Sequence, residues 1–111
     1  MMKNFMERFY EDINEVRNGR LAIDLSILDE DSYFEHENDM QNYIDYLEIC
    51  CENEGATYYE LTRAIESGVK CGSEYCLKND IDWIGREYME NLFLCNSLGS
   101  LLARKRARSH K

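Results

Sequence analysis

The stretch LDEDSYFEHENDMQNYIDYLE, residues 28–48, carries eight carboxylates (Asp29, Glu30, Asp31, Glu35, Glu37, Asp39, Asp45 and Glu48) and neither lysine nor arginine. Paired carboxylates can serve as general acid and base, but acids this abundant single out no pair. The other side chains capable of chemistry are few. Two histidines, His36 within the acidic run and His110 near the end, would have to activate any cysteine nucleophile. Cys71 and Cys76 form a C-x4-C pair, with the adjacent Cys50 and Cys51 about twenty residues upstream. Zinc would want two close pairs in a tetrahedron. Neighbouring residues on a helix, however, point about 100° apart and make a poor two-ligand knuckle. Cys50, Cys51 and Cys95 are therefore expected as small apolar residues in or near the core. No glycine-rich phosphate loop, HExxH or EF-hand pattern is present. No catalytic residue, metal or cofactor is expected, and the pattern points away from an enzyme.

Charge is the feature that stands out. Residues 24–66 hold thirteen acids and one base, Arg63, whereas residues 1–20 hold four of each. The last eight residues, RKRARSHK, carry five bases and no acid. Such asymmetry bears on partners and solubility rather than on fold. Direct binding to DNA is disfavoured, because the acidic middle repels phosphates over most of the surface. The run TYYELTRAIESGVKCGSEYCLKND can be forced into a helix-turn-helix, yet its second half offers few bases beyond Lys78. The basic end reads as a flexible tail over 104–111, following a single domain over 1–103, or as charge that neutralises the acidic face in cis.

The chain's 111 residues are enough for one domain. The start is too charged for a signal peptide, the cysteine count is odd, and no apolar run is long enough to span a bilayer. A cytoplasmic protein with reduced thiols and no membrane partner is the expectation.

The elements that position these residues read as helices. Met2, Phe5, Met6, Phe9, Ile13 and Val16 recur at helical spacing, which predicts a helix over 3–18 stopped by Gly19. RLAIDLSIL, residues 20–28, alternates like a strand but also fits a short helix or a buried extended connector. Ser32 to Glu35 matches a capping box and predicts a helix over 33–53, with Met40, Tyr43, Ile44 and Leu47 facing inward. Thr57 to Glu60 is a second capping box, opening a helix that Gly68 would end before a loop or short turn of helix over 70–79. Asp80 reads as the cap of a last helix, with apolar spacing from Ile81 to Leu102. The fold class expected is all-α, a compact bundle of about four helices with one short extended segment possible at 20–28.

On the second helix Glu37, Asp45, Glu48 and Glu52 avoid the apolar stripe and form an outward face. Asp29, Glu30 and Asp31 precede the capping box, where the positive end of the helix dipole favours them. A face built only for solubility mixes both signs through i,i+4 pairs, and here lysine is missing. Tyr46 and one of Tyr58 or Tyr59 are expected beside the acids, as at protein interfaces. In size and charge the chain is similar to phage anti-CRISPR and anti-restriction proteins and to bacterial immunity proteins, some of which act as DNA mimics. That resemblance implies an inhibitor that covers a basic, nucleic-acid-binding protein, such as a nuclease or CRISPR effector. Its contact residues would be Asp29, Glu30, Asp31, Glu35, Glu37, Asp45, Tyr46, Glu48 and Glu52. The alternative is a helical oligomerisation or scaffold module in which 20–28 or the last helix pairs with another copy; a DNA-binding regulator stands behind both.

Overall fold

Four helices make up most of the computed structural model, which describes residues 4–21 and 23–109: α1 (Phe5–Arg17), α2 (Glu30–Asn53), α3 (Tyr58–Lys78) and α4 (Trp83–Ser109). The fold is all-α, and there is no strand among the described residues. Met2, Ala22, His110 and Lys111 lie outside them.

The helix ends follow local chemistry. Asn4 opens α1, its side chain accepting from the Glu7 amide at 2.9 Å. Thr57 opens α3 with the expected reciprocal box, its hydroxyl accepting from the Glu60 amide (3.1 Å) while Glu60 accepts from the Thr57 amide (3.0 Å). The expected box at Ser32 is replaced by an earlier start. Asp29 accepts from the Ser32 amide at 2.8 Å, so α2 begins at Glu30. A carboxylate at this position satisfies a free donor and also meets the positive end of the helix dipole, which a serine hydroxyl does only weakly.

Both α1 and α2 end in Schellman motifs. The Arg20 amide donates to the Glu15 carbonyl and the Ala56 amide to the Cys51 carbonyl, each over a glycine at positive φ (Gly19 at 74° and Gly55 at 90°). α3 closes in the same way, with Ile81 donating to the Cys76 carbonyl at 2.9 Å, but the left-handed residue is Asp80 at φ 55°. Asp80 is thus not the cap of α4, which starts at Trp83. Helix-closing geometry took the residue that capping chemistry would have used. An acid there meets both the steric cost of the left-handed region and the negative end of the α3 dipole. Asp80→Gly should therefore stabilise the fold by about 0.5–1 kcal/mol, read as a rise of a few degrees in Tm.

Direction of packing explains the ambiguous 20–28 segment. Phe5 stacks on His36 (4.7 Å between ring centroids) and Phe9 meets Tyr43 edge-on (6.5 Å), so α1 and α2 run the same way. The Tyr88 hydroxyl donates to Asp12, and Arg17 reaches Asn96, so α4 runs parallel to both. Only α3 is antiparallel to α4. A link between parallel neighbours must travel back the length of α1, about 20 Å, which calls for nearly extended chain. Residues 18–21 and 23–29 belong to this link, which accepts from the Tyr75 hydroxyl at the Leu21 carbonyl (3.2 Å) and makes a single 3-10 turn at Leu25–Ile27 capped by Asp24. Leu21, Ile23, Leu25 and Leu28 pack against the core from this connector. Alternation here marks an extended connector with one turn.

α4 is the central helix, touched by each of the other three. Its Leu92, Cys95 and Leu98 are fully buried, and a leucine so placed contributes about 2 kcal/mol. The expected break in α3 does not exist. Gly68 and Gly72 lie inside one continuous helix, buried against α4, where an added Cβ would stand 2.8 Å from the Leu94 Cα and 3.0 Å from the Glu90 Cα. These glycines set the distance between two helices rather than ending one. With no turn in α3, the helix-turn-helix reading is overturned. The basic residues from 104 to 108, expected in a tail after residue 103, form the last turns of α4.

Candidate protein-binding surface

All the carboxylates singled out in the sequence lie on α2 or at its start. Asp29 is the cap; Glu30 and Asp31 are exposed in the first turn; Glu35, Glu37, Asp45 and Glu52 are exposed along the helix, and Glu48 is half-buried. Among the described residues none of these eight has a cation within ion-pair distance. Ion pairs elsewhere join Glu15 to Arg20, Glu90 to Arg86, Glu60 to Lys105 and Glu54 to Arg106, and Asp39 shares a hydrogen bond with His36 (3.1 Å). Asp45 accepts only from the neutral Gln41 amide, at 3.0 Å. Partial burial, and then the charges of Asp45 and Glu52, raise the pKa of Glu48. The three acids therefore repel one another in place.

The acidic face is divided. Glu37, Gln41, Asp45, Glu48 and Glu52 follow one another at three- and four-residue steps along the flank of α2 that turns toward α4. There Glu37, Asn38 and Gln41 face Glu87, Glu90 and Asn91 across a cleft of about 340 Å³. The buried Tyr33 forms its floor, and its burial followed by the Glu87 charge pushes the tyrosine pKa well up. Tyr46 lies elsewhere. At about 100° per residue it points about 160° away from Glu48, and its ring stacks on Tyr43 (6.1 Å), which meets Tyr10 at 4.9 Å. Tyr46 is exposed, as expected, but on the α1 side; its hydrogen bond with Cys50 is the main cause that raises its pKa. The anchor and the acid strip proposed to act together occupy opposite flanks of one helix. Tyr58 and Tyr59, of which one was expected outside, are both exposed.

Several surface residues escaped the sequence reading. Glu87 joins Glu37 across the cleft from another helix, a proximity that no local pattern reports. Phe34 (52% exposed) and Trp83 (68%) lie at the end of the bundle where the parallel helices α2 and α4 begin. Trp83 also has φ 56°, a left-handed backbone that is unusual for a bulky residue. Periodicity could have flagged Phe34, which falls outside the Tyr33, Met40, Ile44 and Leu47 stripe.

The basic end of α4 partly neutralises other acids in cis. Lys105 reaches Glu60 at 2.7 Å; that bond, then the Thr57 amide, holds the Glu60 carboxyl down to about 2 from an ordinary 4.5. A depressed carboxylate contributes stability that is present above its unfolded value and lost as the pH falls through its folded one. Glu60→Gln should therefore flatten the acid limb of stability between pH 4.5 and 2, leaving wild type and variant closest at the acid end, as urea titrations across that window would show.

The five cysteines are free thiols. Cys51 donates to the Leu98 carbonyl and Cys76 to the Arg86 carbonyl, twelve residues and about 18 Å apart along α4. Burial pushes Cys95 up to about 12. Among the described residues no group of three His, Cys, Asp or Glu comes together as metal ligands. Nor is any helix among them long and apolar enough to cross a membrane. Compared with known proteins, the chain matches no family model, no curated protein and no solved structure.

Proposed function

We propose that this protein is an inhibitor that binds a basic protein surface through α2 and the adjoining edge of α4, covering a site where the target would otherwise hold nucleic acid. The observation that carries this reading is that, among the described residues, none of the eight carboxylates has a cation within ion-pair distance, whereas Glu15, Glu54, Glu60 and Glu90 each do. Unpaired like charges on one face weaken the free protein by self-repulsion, and a basic partner would remove that cost on binding. The cleft between Glu37 and Glu87 has room for a lysine or arginine side chain. Phe34 and Trp83, at the end that also bears Asp29, Glu30 and Asp31, offer the apolar area that charge alone does not supply. Tyr46 is left as a separate contact on the α1 side.

The test is affinity capture from the host of origin with the wild-type chain and, in parallel, the charge-reversed variant D45K/E48K/E52K. A nuclease or other nucleic-acid-binding protein retained by the first and lost by the second supports the inhibitor. Retention that survives reversal, with an association rate indifferent to salt, rejects it. Light scattering after size exclusion separates the scaffold alternative, since a dimer stable at high salt would favour oligomerisation over an acidic mimic.

A further inference from the structure

Away from the acidic face lies a groove in which two arginines have no carboxylate within ion-pair distance among the described residues. Between the first half of α3 and the second half of α4 runs a trough of about 560 Å³, within the range of small-molecule sites. Its walls are low because small residues line both helices (Ala64, Ser67 and Gly68 against Ser97 and Ser100). Leu101 is its buried floor, and Tyr59 and Phe93 present rings along its sides. Arg63 and Arg104 project over it. Arg63 lies over the Tyr59 ring (5.6 Å) and donates to its hydroxyl (2.9 Å). Neither arginine has a carboxylate within ion-pair distance among the described residues. Glu60 is the lone acid in the lining, and Lys105 already neutralises it. In a chain of net charge −9, two arginines left over in one groove are unexpected.

We propose that this groove binds a small organic anion, with a phosphate or carboxylate head held by Arg63 and Arg104 and a flat apolar body lying along Tyr59, Phe93 and Leu101. A planar guanidinium meets either head group in two parallel hydrogen bonds, and one already stacked on an aromatic ring loses less freedom in doing so. Ser67, Asn96 and Ser100 supply neutral donors along the trough. The proposal stands apart from the acidic face: the groove lies on the α3 side of α4, and the two sites can succeed or fail separately.

The experiment is an amide-shift titration of the isotope-labelled full chain with phenyl phosphate, benzoate, inorganic phosphate and phenol. Saturable shifts confined to residues 59–71 and 93–104, at millimolar concentration or below, are expected for phenyl phosphate, with weaker binding of inorganic phosphate and none of phenol. Benzoate binding as well as phenyl phosphate would assign a carboxylate head, and failing to bind would assign phosphate. R63Q/R104Q, at exposed positions, should weaken binding about tenfold or more without moving the thermal transition. Ser67→Trp, which fills the trough without altering charge, should abolish it. Phenol binding as tightly as phenyl phosphate, shifts centred elsewhere, or affinity indifferent to both variants would overturn the assignment.

Discussion

Replacing Gly68 by leucine is expected to cost this protein about 3 kcal/mol or more, among the largest effects of any single exposed-or-buried substitution outside the leucines of α4. Even the first added carbon would stand 2.8 Å from the Leu94 Cα, 3.1 Å from the Phe93 carbonyl and 3.1 Å from the Ser97 Cβ. Two of those atoms are backbone and cannot swing aside. The helices would have to separate, and α3 packs on α4 more extensively than any other pair of elements does. For a domain of this size the loss should lower Tm by about 10 °C or more. Alanine is the sharper comparison. Helix propensity alone favours Gly→Ala by about 1 kcal/mol. At Gly68 the clash should reverse that sign. At Gly99, where the added Cβ would meet only the flexible Arg17 guanidinium, Ala should be neutral or stabilising. Chemical denaturation of G68A and G99A reads both signs, and equal behaviour of the two would refute close packing at Gly68.

Reversing Asp45, Glu48 and Glu52 together to lysine should abolish recognition of a basic target while sparing the fold. Asp45 and Glu52 are exposed and Glu48 is half-buried, none caps a helix, and none holds an ion pair. Three lysines repel one another as the three acids did, but they lie in the second half of α2, where the helix dipole favours positive charge, so Tm should be unchanged or slightly higher. Against a basic surface each attraction becomes a repulsion, so affinity should fall about a hundredfold or more, with much of the loss in the association rate. The wild-type rate should also drop steeply with salt, because the Debye length shrinks to about 8 Å near physiological ionic strength. A variant that bound as well as wild type, at a rate unaffected by salt, would show that the acids only keep the chain soluble. Tyr46→Ala serves as the internal comparison. If the interface centres on the α4 flank, this change on the opposite side should have little effect; a large loss would move the interface toward α1.

How much was legible depended on how local the physics was. Apolar spacing disclosed all four helices, and the Thr57 box and the stop at Gly19 were readable because each rests on neighbours in sequence. The errors fell where local signals competed. Ser32 and Asp29 both offered caps, and the carboxylate prevailed. Asp80 looked like a helix start and instead closes the helix before it. Gly68 and Gly72 carried the mark of a break, since glycine weakens an isolated helix, but their reason for being glycine lies in the backbone of α4. The unpaired state of the acids was partly legible from the scarcity of lysine, whereas the distant partnerships of Lys105 with Glu60 and Arg106 with Glu54 were not.

The sequence by itself determined an all-α protein with a run of carboxylates on one long helix, because periodicity, capping and charge act over one or two turns. Only the tertiary structure decided what those residues face. It made α2 parallel to α4, so that Glu37 meets Glu87 across a cleft and Tyr46 turns to the far side. It also brought Arg63 and Arg104 to one groove from positions forty-one residues apart. Such meetings follow from how helices dock and in which direction, and docking is set by the summed fit of many side chains that no short stretch contains.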